Sequence, residues 1–433
     1  MGMTAVEKIL ARASGMDVVK PDDIIFPNPD MVIIHDGLVA AAKEEMDELE
    51  IKEVFDPDRV YFVTDHDVIY TNPRAVERGF KNRIAAKEWG IKNFYDAGKG
   101  GHGHIFPLQR GIVVPGMFIF DNDRHCTNVG GAGAVAFRIG HEVSTVLSTG
   151  TMWTQVPKTI KLSFKGKLQP GVYARDVGFV IASGFKKNGF FGASIDYRVL
   201  ELAGELDQFS LDQRVALASS PTEMRAISIY SPPSEAVIKY YEEHAQRPFE
   251  AVYSDPDAEY EAELELDIGA LEPQVALMGG PHNAAPLKDV AGKRIDHAFI
   301  GSCGSGMWED LEIAAAALKG NKVADGVRLF IVPGTEDYTK RLQSTGMMGI
   351  FLDAGAFVLP ASCGMCASGR MGPTYAGEVS ISTAAGNQAG RFGGDMDSEL
   401  LLGSPATVAA SAVRGEITDP RTFDSIVQFG QGS

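Results

Sequence analysis

Apolar, β-branched runs alternate along this chain with amphipathic stretches, and the alternation is the main indication of its fold. An amphipathic helix is predicted near the amino terminus, at residues 4–15, and an acidic helix at residues 38–55. The runs that we predict as strands, or as strands leading into loops, are residues 60–66, 111–123, 143–150 and 177–185. Buried strands interleaved with helices indicate a layered α/β architecture.

The second half of the chain continues this pattern after a loop at residues 279–289, which we interpret as a domain boundary. Just before that loop, acidic residues alternate with apolar ones over residues 260–266, which predicts a solvated edge strand rather than a binding site. Beyond it we predict a helix at 310–320, a strand at 328–334 and a helix-to-strand passage at 349–360.

Composition places the chain among ordinary globular proteins of several domains. It has 433 residues, of which 45% are hydrophobic and 22% are charged. The net charge of −17 disfavours binding to nucleic acids or anionic membranes. No apolar run approaches the roughly 18 residues that span a bilayer, and the amino terminus lacks the apolar region of a signal peptide. With four cysteines and no secretory signal, we expect a cytoplasmic protein with reduced thiols.

Three of the cysteines form a first candidate site. Cys303 lies in the motif GSCGSG at a predicted strand-to-helix turn, and Cys363 and Cys366 form a C-x-x-C pair. Three thiolates from two loops suit an iron–sulfur cluster or, with a histidine, zinc. A redox dithiol or three buried cysteines are the alternatives, and the C-x-x-C motif alone does not decide between them. Cys126 is predicted to be a packing or loop residue.

Histidines beside aspartates form a second candidate site in the first 150 residues. The groups are Asp65-His66, His102 with His104, and Asp123-Arg124-His125. Each group follows a strand-like run and lies in a turn, where α/β folds present their sites. An aspartate bonded to a histidine fixes its tautomer and raises its basicity, as a general acid requires. Three such turns favour a functional site over solvated loop histidines.

These motifs occur in contexts that resemble the aconitase superfamily and, within it, the large subunit of 3-isopropylmalate dehydratase. The segments that carry the resemblance are residues 4–15, Asp65-His66, 115–125, 156–177, FIGSC at 299–303, 309–320, CGMC at 363–366 and 404–421. The resemblance covers nearly the whole chain. It implies a three-layer αβα fold around a [4Fe-4S] cluster, without the swivelling fourth domain and with three subdomains: residues 1–160, 161–287 and 288–433.

The resemblance also implies the residues of the site. Cys303, Cys363 and Cys366 would hold the cluster, whose open iron acts as a Lewis acid on a hydroxy acid. The implied catalytic residues are Asp65, His66, His104, Asp123 and His125, with Glu201 near the iron-bound water. The implied substrate contacts are His35, Arg124 and Arg391.

Two departures from the family pattern bear on the substrate. Arg124 stands where the family has serine, and Ala385-Gly386 stand in place of an Asn-Arg pair. Because a guanidinium recognises a carboxylate in a defined plane, moving one should change which carboxylates fit. We therefore expect a dehydratase acting on a substituted malate-type hydroxy-dicarboxylate such as 2,3-dimethylmalate or 2-methylmalate. The alternative is 3-isopropylmalate, the substrate of leucine biosynthesis.

The position of the carboxyl terminus adds an expectation about a partner. The chain ends soon after the motif GEITDPR, and by resemblance the swivelling domain with its serine base is then expected on a separate small subunit. A further hypothesis is a non-catalytic protein of this family that senses iron or redox state or binds RNA. The net charge of −17 disfavours RNA, and the retained cysteines and histidines disfavour an inactive scaffold.

Overall fold

The computed structural model describes residues 2–393 and 396–429. Its contacts divide the chain into two compact units. The first unit comprises residues 1–163, 195–207 and 225–264, and the second comprises residues 164–194, 208–224 and 265–433. The predicted boundary loop at 279–289 lies inside the second unit and contains a strand, and the division into three subdomains stays a prediction.

The strands are β1 Ile24–Ile25, β2 Met31–His35, β3 Val60–Val63, β4 Asn93–Tyr95, β5 Phe118–Asp121, β6 Val135–Arg138, β7 Thr154–Gln155, β8 Thr159–Lys165, β9 Val199–Gly204, β10 Ser228–Tyr230, β11 Ala262–Asp267, β12 Gln274–Ala276, β13 Ala284–Pro286, β14 His297–Ile300, β15 Arg328–Ile331, β16 Phe357–Val358, β17 Val379–Ser382 and β18 Glu399–Leu402. The helices are α1 Ala5–Ala13, α2 Asp36–Glu48, α3 Pro73–Glu88, α4 Phe106–Gln109, α5 Val143–Thr149, α6 Ala174–Phe185, α7 Leu211–Ser219, α8 Glu235–His244, α9 Trp308–Leu318, α10 Glu336–Ser344, α11 Met347–Ala354, α12 Pro405–Arg414 and α13 Asp424–Phe429.

The first unit is built on a five-stranded parallel sheet in the order β4-β3-β2-β5-β6. Val32 of β2 lies opposite Val60 of β3 and Phe120 of β5. From β2 the chain proceeds to β3 and β4 on one side and then returns to add β5 and β6 on the other. The order therefore reverses between β2 and β5, which is where doubly wound sheets open a crevice at their carboxyl ends.

The second unit contains a seven-stranded sheet in the order β13-β12-β18-β17-β14-β15-β16. Ala298 of β14 lies opposite Leu329 of β15 and Ile381 of β17, and both pairs are parallel. The strands β14 to β18 have the same order of addition as β2 to β6, with the reversal between β14 and β17. The strands β12 and β13 extend this sheet in antiparallel fashion beyond β18.

The predicted α/β class is confirmed, as are most of the predicted elements. Strands lie within residues 60–66, 111–123 and 328–334, and the helix at 310–320 and the helix-to-strand passage at 349–360 are present with small shifts of their ends. The acidic segment forms β11, which lies at the edge of a four-stranded sheet in the order β10-β9-β8-β11. Its side chains alternate between exposed and partly buried positions, as a solvated edge strand requires.

Two predicted strands are wrong. Residues 143–150 form α5 and its terminal glycine, and residues 177–185 lie in α6. Nearly every side chain of α6 is buried, so no polar face interrupts its apolar run. A short helix that is buried all round and a buried strand give the same continuous apolar run, and periodicity cannot separate them.

Among the helices of the described chain, none combines the length and the apolar character that crossing a membrane requires.

Candidate active site

The carboxyl edge of the first sheet gathers aspartates and histidines at the point where its strand order reverses. His35 ends β2, Asp65 and His66 follow β3, and Asp121 ends β5. The Oδ1 atom of Asp65 lies 2.9 Å from His35 Nδ1 and 2.7 Å from His66 Nδ1. One carboxylate oxygen therefore orients both imidazoles.

The glycine-rich loop at residues 98–104 completes this arrangement. The backbone N–H of Gly103 donates to Asp65 Oδ2 at 2.8 Å. A Cβ atom at Gly103 would lie 2.3 Å from Cε1 of His35, so this position requires glycine. The loop also places His104 Nε2 at 3.2 Å from Asp121 Oδ2. It therefore brings a third histidine, after His35 and His66, to the reversal point of the sheet.

Asp123 and His125 lie at the start of the 3₁₀ helix Arg124–Ala132. Asp123 Oδ1 accepts from the backbone N–H of His125 at 2.8 Å and lies 3.1 Å from its Nδ1. Arg124, between them, is exposed. Asp121 contacts His35, His104 and the backbone N–H of Asp123.

The electrostatics of these pairs favour protonated histidines. Burial opposes charge on His66, but the charge of Asp65 and hydrogen bonds with Asp36 and Asp65 raise its pKa to about 10. Burial likewise opposes charge on His35, and the charges of Asp65 and Asp121 outweigh it and raise the pKa of His35 well above its usual value. By contrast, burial lowers the pKa of His102 to about 3, so this imidazole is neutral.

The carboxylates respond in the opposite direction. Burial acts to raise the pKa of Asp65, but the charges of His35 and His66 hold it well below its usual value. The pKa of Asp123 is also held low, by His125 against burial. Buried carboxylates and imidazoliums of the first unit therefore compensate one another, which is how charges are retained in a protein interior.

Glu201 is held by hydroxyl groups of the first unit. It lies on β9, where both carboxylate oxygens accept from Ser254 Oγ at 2.8 Å and Oε1 accepts from Tyr260 Oη at 2.9 Å. Ser254 Oγ in turn accepts from the backbone N–H of Ala5. Within the described residues its hydrogen bonds include none with the histidines, so its contacts are those of a residue that fixes the segment around residue 254.

The cysteines of the second unit come together at the carboxyl edge of its parallel strands. Cys303 follows β14, and Cys363 and Cys366 follow β16. The three side chains are buried in one cluster with Phe179 and Phe299, and they form no disulfide. The structure thus joins two loops that the sequence separates by 60 residues.

Two arginines lie beside these thiols. Arg391 Nη2 lies 3.4 Å from Cys366 Sγ, and the charge of Cys366 raises the pKa of Arg391. Arg175 is fully buried, donates to Ser220 Oγ at 3.0 Å and to the carbonyl of Ala384, and lies over the ring of Phe179. Burial lowers its pKa to about 10, against the opposing charge of Cys303. Cationic surroundings of this kind favour thiolates, the form that binds metals.

The donor set of this cluster suits a metal group. Three buried thiols from two loops, beside two guanidiniums, offer the ligands that iron–sulfur clusters use. The same thiols would also suit zinc if a fourth ligand joined them.

Buried cysteines and paired histidines at the carboxyl ends of two doubly wound sheets define an α/β enzyme. The sequence profile of the aconitase family (aconitate hydratase) matches residues 7–415. 3-Isopropylmalate dehydratase large subunit 1 of Methanopyrus kandleri is 38% identical over 98% of this chain and 100% of its own length. The 3-isopropylmalate dehydratase large subunit of Halothermothrix orenii is 36% identical over 97% of this chain and 99% of its own length.

Among solved structures, aconitase X of Thermococcus kodakaraensis is similar with a TM-score of 0.49 and 13% identity, covering 99% of this chain and 96% of that one. The family match spans most of the sequence and the curated relatives span nearly all of it. The chain belongs to the aconitase family, and it is a hydro-lyase of that family.

Proposed function

We propose that this chain is the large subunit of a dehydratase that removes water from a substituted malate-type hydroxy-dicarboxylate, with a [4Fe-4S] cluster held by Cys303, Cys363 and Cys366. The observation that carries the proposal is the burial of these three thiols in one cluster, with Arg391 in contact with Cys366. When bound, such a cluster with an open iron supplies a Lewis acid that weakens the bond between carbon and the leaving hydroxyl.

The first unit supplies the proton for the leaving group. Dehydration breaks a C–O bond, the hydroxyl departs with the electron pair and takes one proton, and the neighbouring carbon gives its proton to a base. The Nδ1 atom of His66 faces Asp65 and Asp36, so the proton on Nε2 is the one His66 can donate. The side chain of His66 is 24% exposed, whereas that of Asp65 is fully buried. Asp65 orients the imidazole of His66, and His66 donates the proton from Nε2 to the leaving hydroxyl.

His125 is the second candidate acid of this unit. Asp123 Oδ1 lies 3.1 Å from its Nδ1 and orients the ring, as Asp65 orients His66. His104 and His35 are held between the carboxylates of Asp65, Asp121 and Asp123. We propose that these two buried imidazoles maintain the charge and position of the acids. The catalytic role of Glu201 near the iron-bound water stays a prediction.

The names of the relatives support a second protein chain. Both are large subunits, and we propose that the base that removes the carbon-bound proton belongs to a separate small subunit. In the large subunit, we propose that Arg124 and Arg391 contribute to recognition of the substrate carboxylates, as the sequence predicted.

The relatives are named for 3-isopropylmalate, which makes it the second candidate substrate. Arg124 and Gly386 argue against this substrate, because they change the positions of the guanidiniums relative to the family pattern and so change which carboxylates can bind. A malate with another substituent therefore remains our first candidate.

Anaerobic co-expression with a small subunit of this family, followed by a panel of malates, tests the proposal. We expect enoate absorbance to appear with one substituted malate and to depend on both chains. Full activity of the large chain alone would overturn the assignment of the base. Absence of turnover for every malate, with the cluster intact and both chains present, would overturn the substrate class.

A further inference from the structure

The loop between β3 and α3 carries His66, the proposed acid, and a strained residue shortly after it. Tyr70 has a φ of +47°, in the left-handed region of backbone conformation. This region is unfavourable for an aromatic residue, because its Cβ approaches the following carbonyl oxygen. Such strain persists only where neighbouring contacts hold the residue, and it clusters at functional sites. The contacts that hold Tyr70 therefore bear on the position of His66.

The side chain of Tyr70 lies against one face of α3. A Cβ atom at Gly79, inside this helix, would lie 2.6 Å from both Cε1 and Oη of Tyr70. Glycine is unfavourable in a helix interior, and the close approach of the ring explains why it stands here. Arg83, about one turn further along α3, donates to Tyr70 Oη at 2.5 Å, and its guanidinium lies 5.6 Å from the ring centroid. The helix thus holds both the ring and the hydroxyl of Tyr70.

Arg83 also connects Tyr70 to the beginning of the same loop. Its Nε donates to Asp96 Oδ2 at 2.6 Å, and its Nη2 donates to Asp96 Oδ1 at 3.1 Å. This two-point contact fixes the plane of the guanidinium. Asp96 Oδ1 in turn accepts from Thr64 Oγ1 at 3.3 Å. Because Thr64 precedes Asp65 directly and Tyr70 follows it, Arg83 is linked to the loop on both sides of the acid.

A further contact of α3 holds the middle of the loop. Arg78 donates to Asp67 Oδ2 from Nε at 2.7 Å and from Nη2 at 2.6 Å. The backbone N–H of Asp67 donates to Asp36 Oδ2 at 2.8 Å, and Asp36 Oδ1 lies 3.2 Å from His66 Nδ1. A shift of the loop along α3 would therefore change the distance between His66 and the carboxylate of Asp36.

We infer that Tyr70, Gly79 and Arg83 are positioning residues for the proposed acid His66. They act through the backbone that joins Tyr70 to His66, so they are not catalytic residues themselves. The inference deepens the proposed function and rests on it, since it takes His66 as the acid. A displacement of about 1 Å far from the chemistry can cost roughly 100-fold in rate, so a contact of this kind is sufficient to affect turnover.

Gly79→Ala is the sharpest test, because alanine favours the helix while its Cβ displaces the ring of Tyr70. We expect the thermal stability of the full chain, loaded anaerobically with its cluster, not to fall. With the small subunit present, kcat should fall by about 10–100-fold while KM stays nearly constant. A lower stability with unchanged kcat would overturn the inference.

NMR titration of the loaded full chain, labelled at histidine, gives a second readout that needs no substrate. The imidazole of His66 faces the carboxylates of Asp36 and Asp65 and the ring of His35. Displacement from the two carboxylates should lower the pKa of His66 from about 10 in Gly79→Ala. An unchanged pKa would overturn the inference. A shifted pKa together with an inactive malate panel would count against the proposed function alone.

A double variant separates the contact with Tyr70 from other effects of the alanine. Tyr70→Gly removes the ring and the backbone strain together, and it should also lower the pKa of His66. In that background Gly79→Ala has no ring to displace, so the double variant should match Tyr70→Gly alone. If the two substitutions have additive effects on the pKa, the inference is wrong.

Matched controls distinguish the contact from the type of substitution. Arg83→Lys loses the two-point contact with Asp96 and should lower the pKa of His66, whereas Arg74→Lys, at an exposed position of the same helix, should not. Gly349→Ala is the control for Gly79→Ala, because Gly349 also lies in a helix but its Cβ would meet open space. Equal pKa values of His66 in Gly79→Ala and Gly349→Ala would overturn the inference.

Discussion

The two parallel sheets of this protein have the same strand order but carry opposite arrangements of charge. In the first unit, buried carboxylates and imidazoliums compensate one another, as at Asp65 and His66. In the second unit, the buried cation Arg175 lies beside thiols, and burial raises the pKa of nearby Asp310 well above its usual value. The first site is electrostatically complete, whereas the second gains its full negative charge when the cysteines become thiolates.

The shared topology explains why both sites lie where they do. His35 follows the first-added strand of one sheet, and Cys303 follows the first-added strand of the other. In each case the next strands are added first on one side and then on the other, so loops diverge at that position and leave space at the carboxyl ends. One strand order thus presents histidines and aspartates in one unit and cysteines in the other, because the loop residues differ.

The largest effect should come from removing a thiol of the second unit. We expect the anaerobically purified protein to be brown with about four irons per chain, and Cys363→Ser to lose the colour, the iron and the activity. Cys126→Ser is the matched control, since Cys126 is a buried cysteine of the first unit, and its iron content should be unchanged. Metal analysis and visible absorbance check this. Stoichiometric zinc without iron or sulfide in the parent protein would contradict it.

The next largest effect should come from removing the shared carboxylate of the first unit. Asp65→Asn leaves the cluster intact but removes the charge that raises the pKa of His66 to about 10 against burial. We expect kcat to fall by about 10²–10⁴, the range for losing general acid catalysis. Because the acid must be protonated, the rate falls as pH rises through this pKa, and in Asp65→Asn that alkaline limb should move to lower pH.

The same pair contributes to stability with a defined sign. The raised pKa of His66 adds stability that is fully present below its unfolded value of about 6.5 and is lost as pH rises through about 10. Asp65→Asn should therefore flatten the pH dependence of unfolding in that window. Asp58→Asn, at an exposed ion pair with Lys92, serves as the control for both measurements. An unchanged alkaline limb would exclude His66 as the acid that Asp65 orients.

Replacing Arg175 tests whether this buried cation compensates the negative charge of the thiolates in the second unit. Burial of a charge without an ionised partner costs free energy, and the lowered pKa of Arg175, about 10, reflects that cost. We expect Arg175→Met to leave the cluster-free protein equally or more stable, and to release iron faster to a chelator from the loaded protein. If Arg175 compensates the charge of the thiolates, its removal should weaken iron retention in the loaded protein and should not lower the stability of the cluster-free protein.

The control for Arg175 is a surface arginine of the first unit. Arg198 forms a part-exposed pair with Glu261, and Arg198→Met should change neither iron release nor the stability of the cluster-free protein by more than about 1 kcal/mol. Thermal unfolding and the rate of bleaching check both variants. Equal destabilisation of the cluster-free and loaded forms of Arg175→Met would indicate a role in packing alone.

Much of the fold could be predicted because strands and loops differ in their patterns of apolar and polar residues. The apolar runs that end in Asp65-His66 and at Asp121 predicted strands with functional turns, and both turns lie at the carboxyl edge of one sheet. The buried helix α6 was mistaken for a strand, because burial on every side removes the period that identifies a helix. Local sequence therefore predicts elements best where one face meets solvent.

The site was predicted less completely, because pairing across a sheet is not visible in the sequence. Asp121 looked like the end of a strand, yet it lies between two histidines from other loops. Arg175 gave no sign of lying beside Cys303, since 128 positions and several strands separate them in sequence. Glu201 was assigned a catalytic role by resemblance, and only the structure showed its hydrogen bonds with Ser254 and Tyr260.

The smallest predicted effect concerns substrate choice and arises from Arg124. Arg124 is exposed and stands between Asp123 and His125 in the first unit. Loss of one charge-assisted contact should cost roughly 1.5–3 kcal/mol, or about 10–150-fold in kcat/KM, for the preferred malate only. We therefore expect Arg124→Ser to reorder the malate panel while iron content stays constant.

The variant Gly386→Arg, in the second unit, adds a further measurement to this test of substrate choice. The atoms nearest to a Cβ at Gly386 belong to the end of the Gln388 side chain, at 2.7 Å and beyond, and this flexible group can move aside for the Cβ. Added to Arg124→Ser, it restores the family's arginine, and we expect activity toward 3-isopropylmalate to rise. Arg59→Ser, at an exposed pair with Asp56, should leave the panel unchanged. If Arg124→Ser and the parent protein have identical kinetics with all malates, Arg124 does not contribute to substrate recognition. Specificity would then have to arise from groups other than this guanidinium.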